Sequence, residues 1–259
     1  MRRDGRPFGQ VVQAAFRPAA LLAAVALADP AEARCQDYPK RGVDWTGCSK
    51  PQLMLSKDDL TGAGFSKAAL TGTEFMGSKL AGAKLDEAEI SHGRFEGADL
   101  SGADLTKAVG WRANFGRANL EKANLSVAQM SRASFAEARL AGANLTKSEV
   151  NRSDFTGADL TGVDMSKAEL ARVIFLNAKL TGVNFSNANL SRARLSGADL
   201  SGVQLGGAHL YLTKLDGADL SRAAGLKQAQ LDIACGTKST KLPPELNASK
   251  GWPCAEEDD

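Results

Sequence analysis

The chain has 259 residues, with 32 Lys and Arg against 30 Asp and Glu, and a formal net charge of +2. That balance excludes nucleic-acid binding through bulk positive charge, and 43% hydrophobic residues exclude a disordered chain. Aromatics are only 6% while Gly numbers 26, so the apolar mass is mostly Ala and Leu, unlike an ordinary core of this size.

Residues 1–28 differ from the rest. Arg2, Arg3, Arg6 and Arg17 precede an apolar run from Ala19 to Ala28, and Ala26 and Ala28 offer an A-x-A cleavage site, with a second at Ala31 and Ala33. This is the layout of a secretory signal peptide. The run is about half of what spans a bilayer, and Arg34 before Cys35 departs from a lipoprotein signal. The expected location is periplasmic or secreted. Residues 29–52 read as an N-terminal cap, in which Cys35 and Cys48 bracket a lead-in containing Trp45.

Residues 53–224 carry a period of five. From Leu55 to Leu220 there are 34 centres, filled by 21 Leu, 8 Phe, Met130, Met165, Ile90 and Val150, with Gly110 the exception. Two residues before each centre the side chain is small, Ala in 22 of 34 units, as in Ala98-Asp99-Leu100-Ser101-Gly102. Neither the helical nor the strand period fits, and a short period held this long marks a solenoid. Phe75, Phe95, Phe115, Phe135, Phe155 and Phe175 recur every 20 residues, so four units make one coil and these rings share a column. Leu, Met or Ile opposite the rings gives packing by complementary volume.

This register resembles the pentapeptide-repeat family over about residues 53–222. The resemblance implies an all-β solenoid: a right-handed quadrilateral parallel β-helix of about 8–9 coils, at about 4.8 Å per coil roughly 40 Å long. Gly closing 14 of the units, such as Gly62 and Gly102, suits corners that need φ > 0. Open sheet edges at both ends need covering.

Residues 225–259 read as the C-terminal cap. The register slips after Leu220, and Leu226 to Ala234 suits a short helix ending at Gly236. Cys235 and Cys254 lie here. A rod of roughly 40 Å separates the two cysteine pairs, and disulfide Cα atoms sit about 6 Å apart. Cys35–Cys48 and Cys235–Cys254 are therefore the expected bonds in an oxidising compartment. A zinc site lacks the short ligand spacing and a nearby His.

No constellation for catalysis stands out, and neither cofactor nor metal is expected. His92 and His209 are predicted outside and far apart. Asp104, Asn124, Asn144, Asp164 and Asn184 form a column read as hydrogen-bonding along the rod. Gly110 reads either as a core defect covered by Trp111 or Val109, or as a bulge presenting Trp111. Ile174 and Leu176 are expected to be exposed around Phe175.

One outward pattern is not explained by the coil. Arg112, Arg132, Arg152, Arg172 and Arg192 recur every 20 residues with His92 before them, forming a single ladder. Rungs about 4.8 Å apart would repel, and Glu149 and Glu169 are placed to neutralise part of the charge. Trp111 sits at one end and Tyr211 beyond the other. Such a strip suits an anionic polymer, a membrane surface or an acidic protein; the bland reading is a solvated face with splayed side chains. A terminal cap is also a surface through which two copies could meet.

The reading is therefore a non-catalytic, exported binding or scaffold module. The resemblance raises an alternative, since some members of the family mimic DNA and interact with gyrase. That mode needs an acidic cytoplasmic rod, whereas residues 53–222 hold 20 basic and 19 acidic residues and follow a signal sequence. No nucleic-acid partner is expected.

Overall fold

Why five residues make one side of the coil is visible in the fate of five consecutive backbone N–H groups. A computed structural model describes residues 34–254, and the expected signal segment lies outside them. Leu60 donates to Lys79 O at 2.8 Å and Gly62 to Ala81 O at 2.9 Å, both on the next coil. Gly64 donates to Val43 O of the previous coil at 2.8 Å. Ala63 closes a turn onto Leu60 O at 3.0 Å. Only Thr61 N–H is left, and the Asp59 carboxylate accepts it at 3.2 Å. Every donor is thereby satisfied inside the repeat.

That accounting explains the unit's composition. An Asp or Asn before the centre takes the N–H two residues on, an Asx motif. The Ser or Thr after the centre often donates its hydroxyl to the same oxygen, as Thr61 does to Asp59 at 2.7 Å. The column of Asp104, Asn124, Asn144, Asp164 and Asn184 serves this purpose throughout. It also bonds along the rod: Asn144 donates to Asn124 at 3.2 Å and Asn184 to Asp164 at 3.2 Å.

The turns follow the type II pattern, with positive φ at the second residue after the centre. All 36 such positions from Gly42 to Gly217 have it; 16 are glycine and 20 are not. At four turns per coil this makes nine coils. Parallel bridges join residues 20 apart along the rod, from Asp44↔Gly64 to Gln204↔Ala224. The result is a right-handed quadrilateral β-helix. Its strands are single bridges because turns consume the residues between them.

The centres fill the bore. Phe75, Phe95, Phe115, Phe135, Phe155 and Phe175 stack in one column, with ring centroids 4.6–5.5 Å apart. Phe65 and Phe185, from the opposite side, close the column at 6.1 and 5.7 Å. Where the small inward position carries a hydroxyl, it reaches a backbone carbonyl: Ser78 to Leu55 O at 2.6 Å, Ser153 to Met130 O at 2.9 Å and Thr213 to Leu190 O at 2.7 Å.

Gly110 is not the bulge considered for it. The register is unbroken, with Gly110 N–H on Gln129 O at 2.8 Å and Ala113 N–H on Gly110 O at 3.0 Å, so there is no bulge. Trp111 stays at the surface, 39% exposed. Met130, one coil on, puts its sulfur 2.3 Å from where a Gly110 Cβ would stand, with Ile90 at 3.3 Å. An unbranched thioether bends into space that a branched residue could not reach.

The coil starts before the repeat is recognisable. Gly42 already donates to Thr61 O at 3.0 Å, so residues 42–52 are coil rather than the cap assigned over 29–52. Trp45 occupies a centre, is 1% exposed and packs 5.6 Å from Phe65. It plugs the bore from within, and the Cys35–Cys48 disulfide, Cα atoms 5.6 Å apart, ties the preceding segment over it.

At the other end the register slips: the last bridges are Lys214↔Cys235 and Asp219↔Lys241, of spacing 21 and 22. The expected helix over Leu226 to Ala234 is one turn only, α1 (Gln228–Leu231). Side chains complete the lid instead. Gln230 Nε2 donates to Leu205 O and Ala208 O, both at 2.8 Å, and Thr240 to Leu215 O at 2.8 Å, satisfying carbonyls of the last coil. Leu231 and Cys235 close the core, and Cys235–Cys254 fastens the tail, Cα atoms 5.3 Å apart. Gly236 is obligatory here, since a Cβ would stand 2.6 Å from the Trp252 ring.

Candidate binding face

The type II turn decides where the arginines point. Arg112, Arg132, Arg152, Arg172 and Arg192 each occupy the second position after a centre, with φ between 56° and 61°. This is the left-handed region that favours glycine. The sequence reading assigned positive φ only to the glycines; the shared position in the repeat, Arg112 standing where Gly102 does two corners on, was the available signal. Each N–H donates to the next coil, from Arg112 to Ser131 O at 3.2 Å up to Arg192 to Tyr211 O at 2.8 Å. The five side chains therefore leave one corner of the rod in single file, one per coil. The first four are exposed and Arg192 is half-buried.

At several other places the rod sets opposite charges on adjoining rungs. Lys67 and Lys107 flank Glu87 at 3.9 and 3.7 Å, Arg117 meets Glu137 at 3.6 Å, Arg94 meets Glu74 at 3.3 Å and Lys179 meets Asp159 at 3.3 Å. The arginine corner instead carries five like charges in succession. Glu149 and Glu169 do not neutralise it: Arg132, Arg152 and Arg172 pair with no acidic side chain among the described residues, and Glu169 instead accepts Asn189 Nδ2 at 2.7 Å.

The ends of the file are aromatic. Trp111 is 39% exposed, with the Arg112 guanidinium 4.3 Å from its ring centroid and His92 meeting it edge-on at 5.0 Å. Tyr211, 46% exposed, lies 6.3 Å from His209. The two histidines are thus surface residues at opposite ends. Of the patch expected around Phe175, Leu176 is exposed but Ile174 is half-buried. Among the described residues no three His, Cys, Asp or Glu side chains are grouped to hold a metal, and no helix is long and apolar enough to cross a membrane.

The perturbed carboxylates are those of the Asx motifs. Hydrogen bonds to the charged form depress them. The Ser221 hydroxyl, then the Lys241 ammonium, hold Asp219 down at about 2. Asp59 and Asp159 are lowered first by the Thr61 and Thr161 hydroxyls, and Asp199 by that of Ser201. These shifts belong to the fold, not to a reacting centre.

Two family models match the chain: pentapeptide repeats over 59–97 and 83–109, and a pentapeptide repeat region over 128–210. Among solved structures, HetL, a pentapeptide repeat protein involved in heterocyst differentiation regulation from the cyanobacterium Nostoc sp. strain PCC 7120, is 32% identical. That match covers 76% of this chain and 92% of HetL, with a TM-score of 0.36. The chain belongs to the pentapeptide-repeat family. A pentapeptide repeat protein from the Arabidopsis thaliana thylakoid lumen is 28% identical over 47% of this chain and 80% of its own, with a TM-score of 0.36. QnrB1, a plasmid-mediated fluoroquinolone resistance protein, is 18% identical over 76% and 92%, with a TM-score of 0.46. No curated protein matches this pentapeptide-repeat chain.

Proposed function

We propose that this pentapeptide-repeat protein is an exported, non-catalytic binding rod that captures a linear polyanion along the Arg112–Arg192 corner. One observation carries the reading: five consecutive coils place arginine at one corner, and Arg112, Arg132, Arg152 and Arg172 meet no acidic side chain among the described residues, unlike Lys67, Lys107 and Arg117 at other corners. Each arginine occupies backbone geometry that would suit glycine better. The row therefore runs against both local backbone preference and electrostatic self-repulsion, and a countercharge supplied in trans relieves the second.

The corner favours a linear polymer over the other anionic partners. Its charges stand in single file about 4.8 Å apart. A flat anionic membrane would also meet Glu149 and Glu169, which line the neighbouring face in register with Glu89. Guanidinium groups offer paired donors to phosphate or carboxylate oxygens, and Trp111 supplies a stacking face at one end. The gyrase-directed reading gains no support from the charge of this rod, which is balanced between 20 basic and 19 acidic residues over 53–222.

The test is capture of long-chain inorganic polyphosphate by the full, oxidised chain and by a variant carrying Arg132→Glu, Arg152→Glu and Arg172→Glu. The reading predicts saturable binding by the wild type and loss of at least tenfold in affinity in the variant, with the melting temperature preserved. Equal capture by both proteins overturns it.

A further inference from the structure

Beyond the arginine corner, the C-terminal cap carries a modification site: we propose that Asn247 is the acceptor of an N-linked glycan. The inference rests on the export part of the proposed function and is independent of the polyanion. Six N-x-S/T tripeptides occur in the chain, at Asn124, Asn144, Asn151, Asn184, Asn189 and Asn247. Such a tripeptide serves as an acceptor where it stands on a surface loop of an exported protein. The fold separates one of the six from the rest.

Five are built into the rod, with their asparagines half-buried. The nitrogen that would be glycosylated is already committed in four of them. Asn124 Nδ2 donates to Thr106 Oγ1 at 2.7 Å, and Asn144 Nδ2 to Asn124 Oδ1 at 3.2 Å. Asn184 Nδ2 donates to Asp164 Oδ1 at 3.2 Å, and Asn189 Nδ2 to Glu169 Oε2 at 2.7 Å. The middle residue of each of these four is a core centre: Leu125, Leu145, Phe185 or Leu190. In the fifth, Asn151 Oδ1 accepts the Ala171 N–H at 2.9 Å, and the Ser153 hydroxyl is buried on Met130 O at 2.9 Å. A transferase could seat none of the five without unwinding a coil.

Asn247 is the reverse in each respect. It is exposed, and so is Ala248 beside it. Its side chain makes no hydrogen bond among the described residues, while its backbone is clamped. The Asn247 N–H donates to Gln228 Oε1 and its carbonyl accepts Gln228 Nε2, both at 3.0 Å. A free amide therefore projects from a fixed loop. Ser249 Oγ accepts the Gly251 N–H at 3.2 Å, which leaves the hydroxyl proton of the tripeptide available to donate. Ala248 and Ser249 also line an open cleft of about 670 Å³ with Trp252 and Pro253. That is the size of a small-molecule site, and it leaves room for the first sugars beside the Trp252 ring.

The transfer needs no oxidant or reductant. The donor is an oligosaccharide linked to a polyprenyl pyrophosphate. Asn247 Nδ2 attacks the anomeric carbon, so a C–N bond forms and the C–O bond to the pyrophosphate breaks. The polyprenyl pyrophosphate leaves with the electron pair, and the Nδ2 proton passes to a base of the transferase.

The experiment isolates the full chain from the cells that make it, separates exported from retained protein, and maps both by mass spectrometry. Trypsin releases Asn247 in the peptide 242–250. The exported chain should carry a glycan on that peptide and none on the peptides bearing the five rod asparagines. Asn247→Gln and Ser249→Ala should each abolish the added mass, and Ser249→Thr should keep it. Exported protein with Asn247 bare, or with the glycan on a rod asparagine instead, overturns the proposal while export stands. A chain found only in the retained fraction overturns both. Neither result bears on polyphosphate capture, which is measured separately.

Discussion

Val127 holds a β-branched side chain at φ +60°, in a turn position where Asn177 and Asn187 occupy the same geometry. Left-handed backbone costs an L-residue about 1–2 kcal/mol, and Asn bears it better than a branched residue. Val127→Asn should therefore stabilise the rod by on the order of 1 kcal/mol, read as a raised denaturant midpoint with an unchanged slope. The Asx carboxylates make a second prediction at this scale. Their folded values lie below the unfolded value of about 3.9, so their contribution is complete above that pH and is lost as pH falls towards the folded values. Thermal midpoints should hold steady from about pH 7 to 5 and fall below about pH 4. Asp219→Asn should flatten the lower part of that fall, since Asp219 titrates at about 2. The alternation of Asp or Asn with Ser or Thr was plain in the sequence. Its purpose was not, because it depends on which N–H the ladder leaves unused.

At the scale of one column, periodicity told more. The Phe recurrence every 20 residues gave the coil length, and the rings stack as that recurrence requires. The gap at Gly110 was legible as a gap, but its filler was not: Met130 is an ordinary centre by sequence and reaches across a coil only in three dimensions. This coupling is measurable. Gly110→Leu alone meets the Met130 sulfur and should cost about 1–3 kcal/mol by overpacking. Met130→Ala alone empties two positions and should cost about 3–5 kcal/mol. The double variant should be more stable than the sum of the two predicts, and a double-mutant cycle in urea reads the difference. Additivity would mean that Met130 does not fill the space at Gly110. The caps were the least legible element. α1 is a single turn, and the Gln230 and Thr240 side chains take carbonyls of the last coils that a longer helix would otherwise have to cover.

Over the whole molecule, net charge conceals the arrangement. The balance of Lys and Arg with Asp and Glu excludes bulk attraction, yet the fold sorts the charges by column, with opposite signs paired at several places and five arginines in line at one corner. The arginine row was visible in the sequence as a 20-residue recurrence. What only the structure supplies is that Glu149 and Glu169 pair with none of Arg132, Arg152 and Arg172 and that turn geometry projects the row outward. On the proposed function, alignment of the arginines rather than total charge makes this corner a binding face. This is tested by a variant of unchanged net charge: Arg132→Gly, Arg152→Gly and Arg172→Gly combined with Gly62→Arg, Gly97→Arg and Gly202→Arg. The three receiving positions are turn residues of positive φ with nothing within 4 Å of a new Cβ, and none lies on the arginine corner. Equilibrium titration with long-chain polyphosphate, after far-ultraviolet circular dichroism has shown the coil intact, is the decisive measurement. Affinity at least tenfold weaker than wild type is the predicted result, and affinity unchanged within twofold would contradict the account.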